Sequence, residues 1–373
     1  MIPLAAPDLS GNEARYLQDC ITSTYVSSVG PFVDQFESMV AAAAGSEAAV
    51  ATCSGTAGLH VALVAVGVRR DDLVVLPSFT FIASANAIAQ CGAEPWLFDV
   101  AAESWTLDPI LLRTRLETET RSEGGERIHR SSGKRIAAIM PVHTLGLPAD
   151  MAPIVEIARD MGIPIVADAA PAIGATYKSQ PLGQFGADLS VLSFNGNKTV
   201  TSGGGGAVIG DDGKAMHLVR HLSSTARTGV DYDHDLAGFN YRMTNLQAAV
   251  GCAQMERLDE LVAAKRRIRC AYEDAFSHVS DAESFPSPDW AESSCWFSGV
   301  AWRSDPDALR AELSDAGVNA RPFWKPVHLQ KPYAASHRTG QDVTEDIWRR
   351  IVILPCSSNL ADDDLARVIN CIA

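Results

Sequence analysis

The chain has 373 residues, 47% of them hydrophobic, and a formal net charge of −14 from 31 basic and 45 acidic side chains. Nucleic acids and anionic membranes are bound by clustered positive charge, so this balance argues against both as partners, and any anionic ligand must be held by local features. Single cores usually split beyond roughly 250–300 residues, so two domains are expected, a large one over 1–245 and a smaller one over 246–373.

Eight cysteines are scattered with no Cys-x-x-Cys pair, which reads as reduced, mostly buried thiols in a cytoplasmic protein. Met1 to Asp8 has no basic region followed by an apolar run, so no signal peptide is expected, and no apolar stretch approaches the ~18–20 residues of a membrane span.

In chain order, Ser10-Gly11-Asn12-Glu13 has the form of a capping box opening a first helix, and Val33, Phe36, Met39 and Val40 have the spacing of a second. The segment between them, Thr24 to Pro31, carries Tyr25 and is read as a connector or a substrate lip. Ala49 to Thr52 forms a strand that runs through Ser54-Gly55-Thr56 into a helix. Free first-turn amides, a hydroxyl and a glycine suit an anion there, although Ser54 or Thr56 serving only as a helix cap accounts for the same residues.

Strands over 73–76, 95–98, 136–140 and 163–167 then alternate with helices over 81–91, 107–116 and 154–161, which implies a mostly parallel sheet covered on both faces. The charged segment from Glu117 to Arg135 reads as an exposed loop. Ligands in such sheets bind beyond the carboxyl ends of the strands, and Ser54, Phe81, His143, Asp168 and Ser193 all follow predicted strands. His217 and His221 lie one turn apart without a third ligand, so no metal site is expected. A long amphipathic helix is expected from Arg242 to about Ser277, followed by an α+β segment.

The stretch that carries chemistry is Leu192 to Gly206. It delivers Lys198 into small polar neighbours with no adjacent carboxylate, and four glycines follow from Gly203. Those glycines do not spell Gly-x-Gly-x-x-Gly, which disfavours a dinucleotide enzyme. A lysine held this way suits a Schiff base with a carbonyl, and pyridoxal phosphate is the commonest protein-borne carbonyl. Asp168, leaving an apolar strand, suits the pyridine nitrogen of that cofactor.

Ser54-Gly55-Thr56-Ala57, Phe79-Thr80-Phe81, Asp168-Ala169-Ala170, Ser193 to Lys198 and Gly238 to Asn245 together resemble the DegT/DnrJ/StrS family of pyridoxal-phosphate sugar aminotransferases over nearly the full length. The resemblance implies the fold-type-I aminotransferase architecture. It implies that Lys198 bears the cofactor and shuttles a proton, and that Asp168 keeps the ring nitrogen protonated. Phe81 would stack on the ring, and Ser54, Gly55, Thr56, Ala57, Ser193 and Asn195 would line the cofactor site, with the phosphate on Thr56, Ala57 and Ser193. Asn240 would reach the cofactor phosphate of a neighbouring subunit, making a homodimer with shared sites.

Within the family, Thr24 to Gly30, Ser193 to Lys198, the four glycines and Gly251 to Glu256 resemble the LegC-type branch. That branch takes an amino group, here expected from L-glutamate, to C4 of a UDP-linked 4-keto-6-deoxy-N-acetylhexosamine. Perosamine synthases are similar but carry glutamate where this chain has Gly204. The alternatives are another keto sugar, such as GDP-4-keto-6-deoxymannose or a 3-keto sugar nucleotide, and a non-catalytic pyridoxal-binding regulator. Pro171 departs from the pattern, since family members place a hydrogen-bonding side chain there. Tyr25, His143, Trp324, Lys325 and His328 are candidate sugar contacts from their places in predicted loops.

Overall fold

The computed structural model describes residues 1–372. Helices α1 (Glu13–Ser23) and α2 (Pro31–Ala44) precede the first strand. α2 opens on a proline, whose missing N–H costs nothing in a first turn, and buries Val33, Phe36 and Val40. The capping box expected at Ser10 does not form. Its acidic member, Glu13, is buried and accepts a 2.6 Å hydrogen bond from Gln254 Nε2, while the Ser10 amide donates to Asp8 Oδ1. A buried polar partner from a distant helix outcompetes the local one.

The alternation then appears as β1 (Ala48–Thr52), α3 (Gly55–Ala65), β2 (Leu73–Pro77), α4 (Ile82–Gln90), β3 (Glu94–Phe98) and α5 (Pro109–Glu119). The segment expected as a loop after α5 is a hairpin, β4 (Thr120–Glu123) and β5 (Glu126–His129). Gly124 and Gly125 turn it with φ of 61° and 83°, a two-residue turn that needs positive φ at both positions. Next come β6 (Ile136–Ile139), α6 (Met151–Met161), β7 (Val166–Asp168), the short pair β8 (Thr176–Tyr177) and β9 (Gln180–Pro181), β10 (Leu189–Ser193), β11 (Gly206–Gly210) and α7 (Gly213–Ser223).

Bridges Ile139–Ile165 and Val142–Asp168 join two strand runs into one sheet of order β1-β11-β10-β7-β6-β2-β3. Only β11 runs against its neighbours. Side chains alternate along each strand, so Leu73 and Val75 pack toward α2, α5 and α6, while Val74 and Leu76 pack toward α3, α4 and α7. This is the doubly covered sheet implied by continuous apolar strands.

After a hairpin of β12 (Arg227–Thr228) and β13 (Asp233–His234), the single long helix expected from Arg242 proves to be two, α8 (Asn245–Met255) and α9 (Leu258–Phe276). A capping box of Thr244 and Gln247 opens α8. The break falls at Arg257, which bonds to Asp8 across 249 positions and to Glu260. The remaining elements are β14 (Ala282–Glu283), β15 (Ala291–Glu292), β16 (Ser298–Trp302), α10 (Pro306–Asp315), β17 (Arg321–Pro322), α11 (Asp342–Arg350), β18 (Ile351–Leu354) and α12 (Asp362–Asn370). An antiparallel sheet of order β14-β16-β18-β17 backs a second core that takes Ile268, Tyr272 and Phe276 from α9. We propose the division of domains near residue 245 on chain order; in packing, α8 and the first turns of α9 still belong to the large core. Among the described residues no helix is long and apolar enough to cross a membrane.

Candidate active site

The carboxyl ends of β1, β7 and β10 converge on a cavity of about 340 Å³. Ser54, Gly55, Thr56, Phe81, Asp168, Ser193, Asn195, Lys198 and Trp324, all expected from the sequence, line it. Ser54 caps α3, its Oγ accepting from the Ala57 amide at 3.1 Å, and the other first-turn amides have no acceptor within the helix. Cap and anion site are therefore compatible at one helix end, where the positive end of the dipole also favours a phosphate. The turn is gripped by Gly206, where an added Cβ would stand 2.6 Å from the Gly55 nitrogen and 2.7 Å from the Ser54 carbonyl carbon.

Asp168 is the last residue of β7 and is buried. Its Oδ2 accepts from Ser84 Oγ at 2.6 Å and its Oδ1 from the Ala170 amide at 3.0 Å, while Ser84 Oγ lies 2.9 Å from Thr80 Oγ1. Burial holds its carboxyl above the usual carboxylate range, opposed first by Ser84, then by Ala170 and by the Lys198 charge. Ser84 and Thr80 were not anticipated. Ser84 sits in an apolar helix and would be found only by asking which side of α4 faces the end of β7.

Lys198 lies in the loop between β10 and β11, with its amide donating to the Asn195 carbonyl at 2.9 Å. The loop is pinned by bonds between Phe194 and both Ser202 and Gly205. Burial pushes the amine down to about 7, opposed by the Asp168 charge. Trp296, also unanticipated, places its ring centroid 3.5 Å from Lys198 Nζ and donates from Nε1 to the Asn197 carbonyl at 2.7 Å. Phe81 and Trp324, with ring centroids 5.5 Å apart, stand at the cavity as well, and Trp324 is 5.7 Å from Trp296.

Four expected sugar contacts lie elsewhere. His143 is fully buried with Nδ1 accepting from the Ala149 amide at 3.1 Å, and burial pushes its imidazole down to about 3, so it is a neutral core residue. His328 is buried between Ser78 Oγ at 2.7 Å and Glu345 at 3.3 Å, serving packing rather than the cavity. Lys325 is exposed and does not line the cavity, and Tyr25 is half exposed, also outside it. Asn240 does not line the Lys198 cavity either. It is exposed in a separate groove with Arg227, Arg242, Ser28 and Gly30.

The residues fit pyridoxal phosphate: an amine whose proton is easily lost, a buried carboxylate for a ring N–H, an aromatic face, and a helix end closed by a glycine that admits no side chain. Pro171 lines the cavity but offers it no side-chain donor, its carbonyl accepting instead from Ser294 Oγ at 2.8 Å.

The sequence profile of the DegT/DnrJ/EryC1/StrS aminotransferases matches residues 7–373. GDP-perosamine synthase of Caulobacter vibrioides is 36% identical over 377 residues, covering 99% of this chain and 96% of that protein. Among solved structures, the aminotransferase TlmJ from Streptoalloteichus hindustanus superposes with a TM-score of 0.90 at 28% identity, covering 100% of this chain and 98% of that one. DesV of S. venezuelae, in complex with a ketimine intermediate, gives 0.89 at 26%, with 100% and 97% covered. The chain thus has the fold-type-I architecture and belongs to the DegT/DnrJ/EryC1/StrS family of pyridoxal-phosphate-dependent aminotransferases.

Proposed function

We propose that this enzyme moves the amino group of L-glutamate to C4 of a UDP-linked 4-keto-6-deoxy-N-acetylhexosamine in the cytoplasm, giving a 4-amino sugar nucleotide for surface-glycan biosynthesis. Bound pyridoxal phosphate supplies an electron sink. Asp168 holds the proton on the ring nitrogen. Lys198 takes a proton at one carbon and returns it at another, which requires a base whose pKa lies near the operating pH. The observation that carries the reaction is the meeting of this amine, pushed down to about 7, with a buried carboxylate in one cavity.

Gly204 supports the choice of sugar. It lines the cavity, and an added Cβ would meet only Gln247 Nε2, at 3.4 Å, so the backbone does not demand glycine there. Its bareness leaves room beside the site for a bulky substituent such as an N-acetyl group. A GDP-linked 4-keto-6-deoxymannose is the second reading, favoured by the likeness to GDP-perosamine synthase. A turnover assay that follows glutamate loss with UDP- and GDP-linked 4-keto sugars separates the two. Preference for the GDP substrate overturns the first, and turnover by Lys198→Ala overturns both.

The enzyme is further read as a homodimer in which Asn240 serves the partner's cavity. Asn240 sits beside a projecting hairpin that exposes Val230 and Tyr232 at 79% and 73%, with Val29 exposed at 67% on the same groove. Mixed dimers test this. Lys198→Ala and Asn240→Ala chains, each impaired alone, should regain about a quarter of the wild-type rate when mixed in equal amounts, because about half of the dimers are then mixed and each mixed dimer has one of its two sites intact. No recovery refutes sharing.

A further inference from the structure

Lys198 must be free of the cofactor while it moves protons, and a free amine on a four-carbon stem has many places to go. No carboxylate captures it: among the residues lining the cavity the titratable groups are Cys53, Asp168 and Lys198 itself, and the Asp168 oxygens accept from Ser84 and Ala170 and form no ion pair with the amine. The amine instead lies 3.5 Å from the centroid of Trp296. That indole is held on two sides. Its Nε1 donates to the carbonyl of Asn197, the residue before the lysine, and its own carbonyl accepts from the buried Lys265 at 3.2 Å. Lys265 also donates to the Cys356 carbonyl, which ties the tryptophan to the segment after β18.

We propose that Trp296 is a positioning residue whose indole face holds the free amine of Lys198 at the place of proton transfer. A ring face attracts the ammonium form more weakly than a carboxylate would. It therefore restrains the amine without raising its pKa out of the working range, as a fixed carboxylate partner would. The inference rests on Lys198 being the cofactor-bearing lysine.

The test uses the full-length protein loaded with pyridoxamine phosphate, which leaves Lys198 free. Its titration is followed by pH-dependent labelling with dilute acetic anhydride and peptide mass spectrometry. Replacing the ring by Trp296→Leu should lower the Lys198 pKa by ~0.5–1.5 units, the size of one partly buried cation–π contact. Trp296→Phe keeps a face and loses the N–H, so it should fall between Leu and wild type. Equal shifts in the Phe and Leu variants would assign the effect to the N–H bond and overturn the proposal, as would a Leu variant that titrates with wild type.

Should the Leu variant fail to fold, protein grown on fluorotryptophan keeps the shape and the N–H while drawing charge from the ring. A lower Lys198 pKa then supports the proposal and an unchanged one refutes it. Borohydride reduction of the pyridoxal-phosphate-loaded enzyme separately identifies the modified lysine. Modification elsewhere defeats the reading of Lys198, whereas modification of Lys198 with no titration shift defeats only the role of Trp296.

Discussion

Ser84→Ala isolates the support of the cofactor carboxylate. Wild-type Asp168 has two donors, Ser84 Oγ at 2.6 Å and the Ala170 amide at 3.0 Å, and is buried. Removing the hydroxyl leaves Oδ2 without that partner, and a hydrogen bond to a charged group is worth about 1.5–3 kcal/mol. Ser84 is the foremost influence opposing the burial that raises the Asp168 pKa, so its loss raises that pKa further. At about 1.4 kcal/mol per decade, pyridoxal phosphate should bind roughly 10- to 100-fold more weakly. The pH below which binding fails should also move upward by about one to two units, as the carboxylate is protonated earlier. Absorbance titration of apoprotein with pyridoxal phosphate across the acid and neutral range measures both. A folded Ser84→Ala protein with wild-type affinity and the same pH midpoint would refute the reasoning.

Lys198 titrates at about 7 in the fold against an ordinary 10.5, so the unfolded chain binds the proton more tightly and the native apoprotein loses stability as pH falls from 10.5 through 7. Lys198→Met apoprotein should therefore melt above wild type at pH 7, with the difference vanishing as pH approaches 10.5, by calorimetry. Gly206→Ala would press a methyl group to 2.6 Å from the Gly55 nitrogen, and it should lower the melting temperature and abolish cofactor binding in a visible titration. Gly204→Glu should fold like wild type, because an added Cβ meets only Gln247 Nε2, at an ordinary contact distance of 3.4 Å, and should cut turnover of the N-acetylated sugar at least tenfold while sparing glutamate-driven bleaching.

The alternation of short apolar strands with amphipathic helices was legible because burial on both faces leaves a local signature, and the strand-end positions of Ser54, Asp168 and Ser193 followed from it. Lys198 stood out through its own neighbours. Periodicity says which residues alternate, but not which distant group a side chain meets. The break at Arg257 depends on Asp8, and the burial of Glu13 on Gln254. His143 and His328 follow strands or lie in loops as a substrate contact would, yet packing turns both inward.

Local chain chemistry was therefore sufficient to specify the sheet, the amine and its carboxylate, since each depends on near neighbours and on burial. Ser84 beneath the carboxylate, and Trp296 against an amine 98 positions earlier, follow only from the folded packing. Partners so far apart leave no periodic trace, because their approach is set by how helices and the second core close over the sheet.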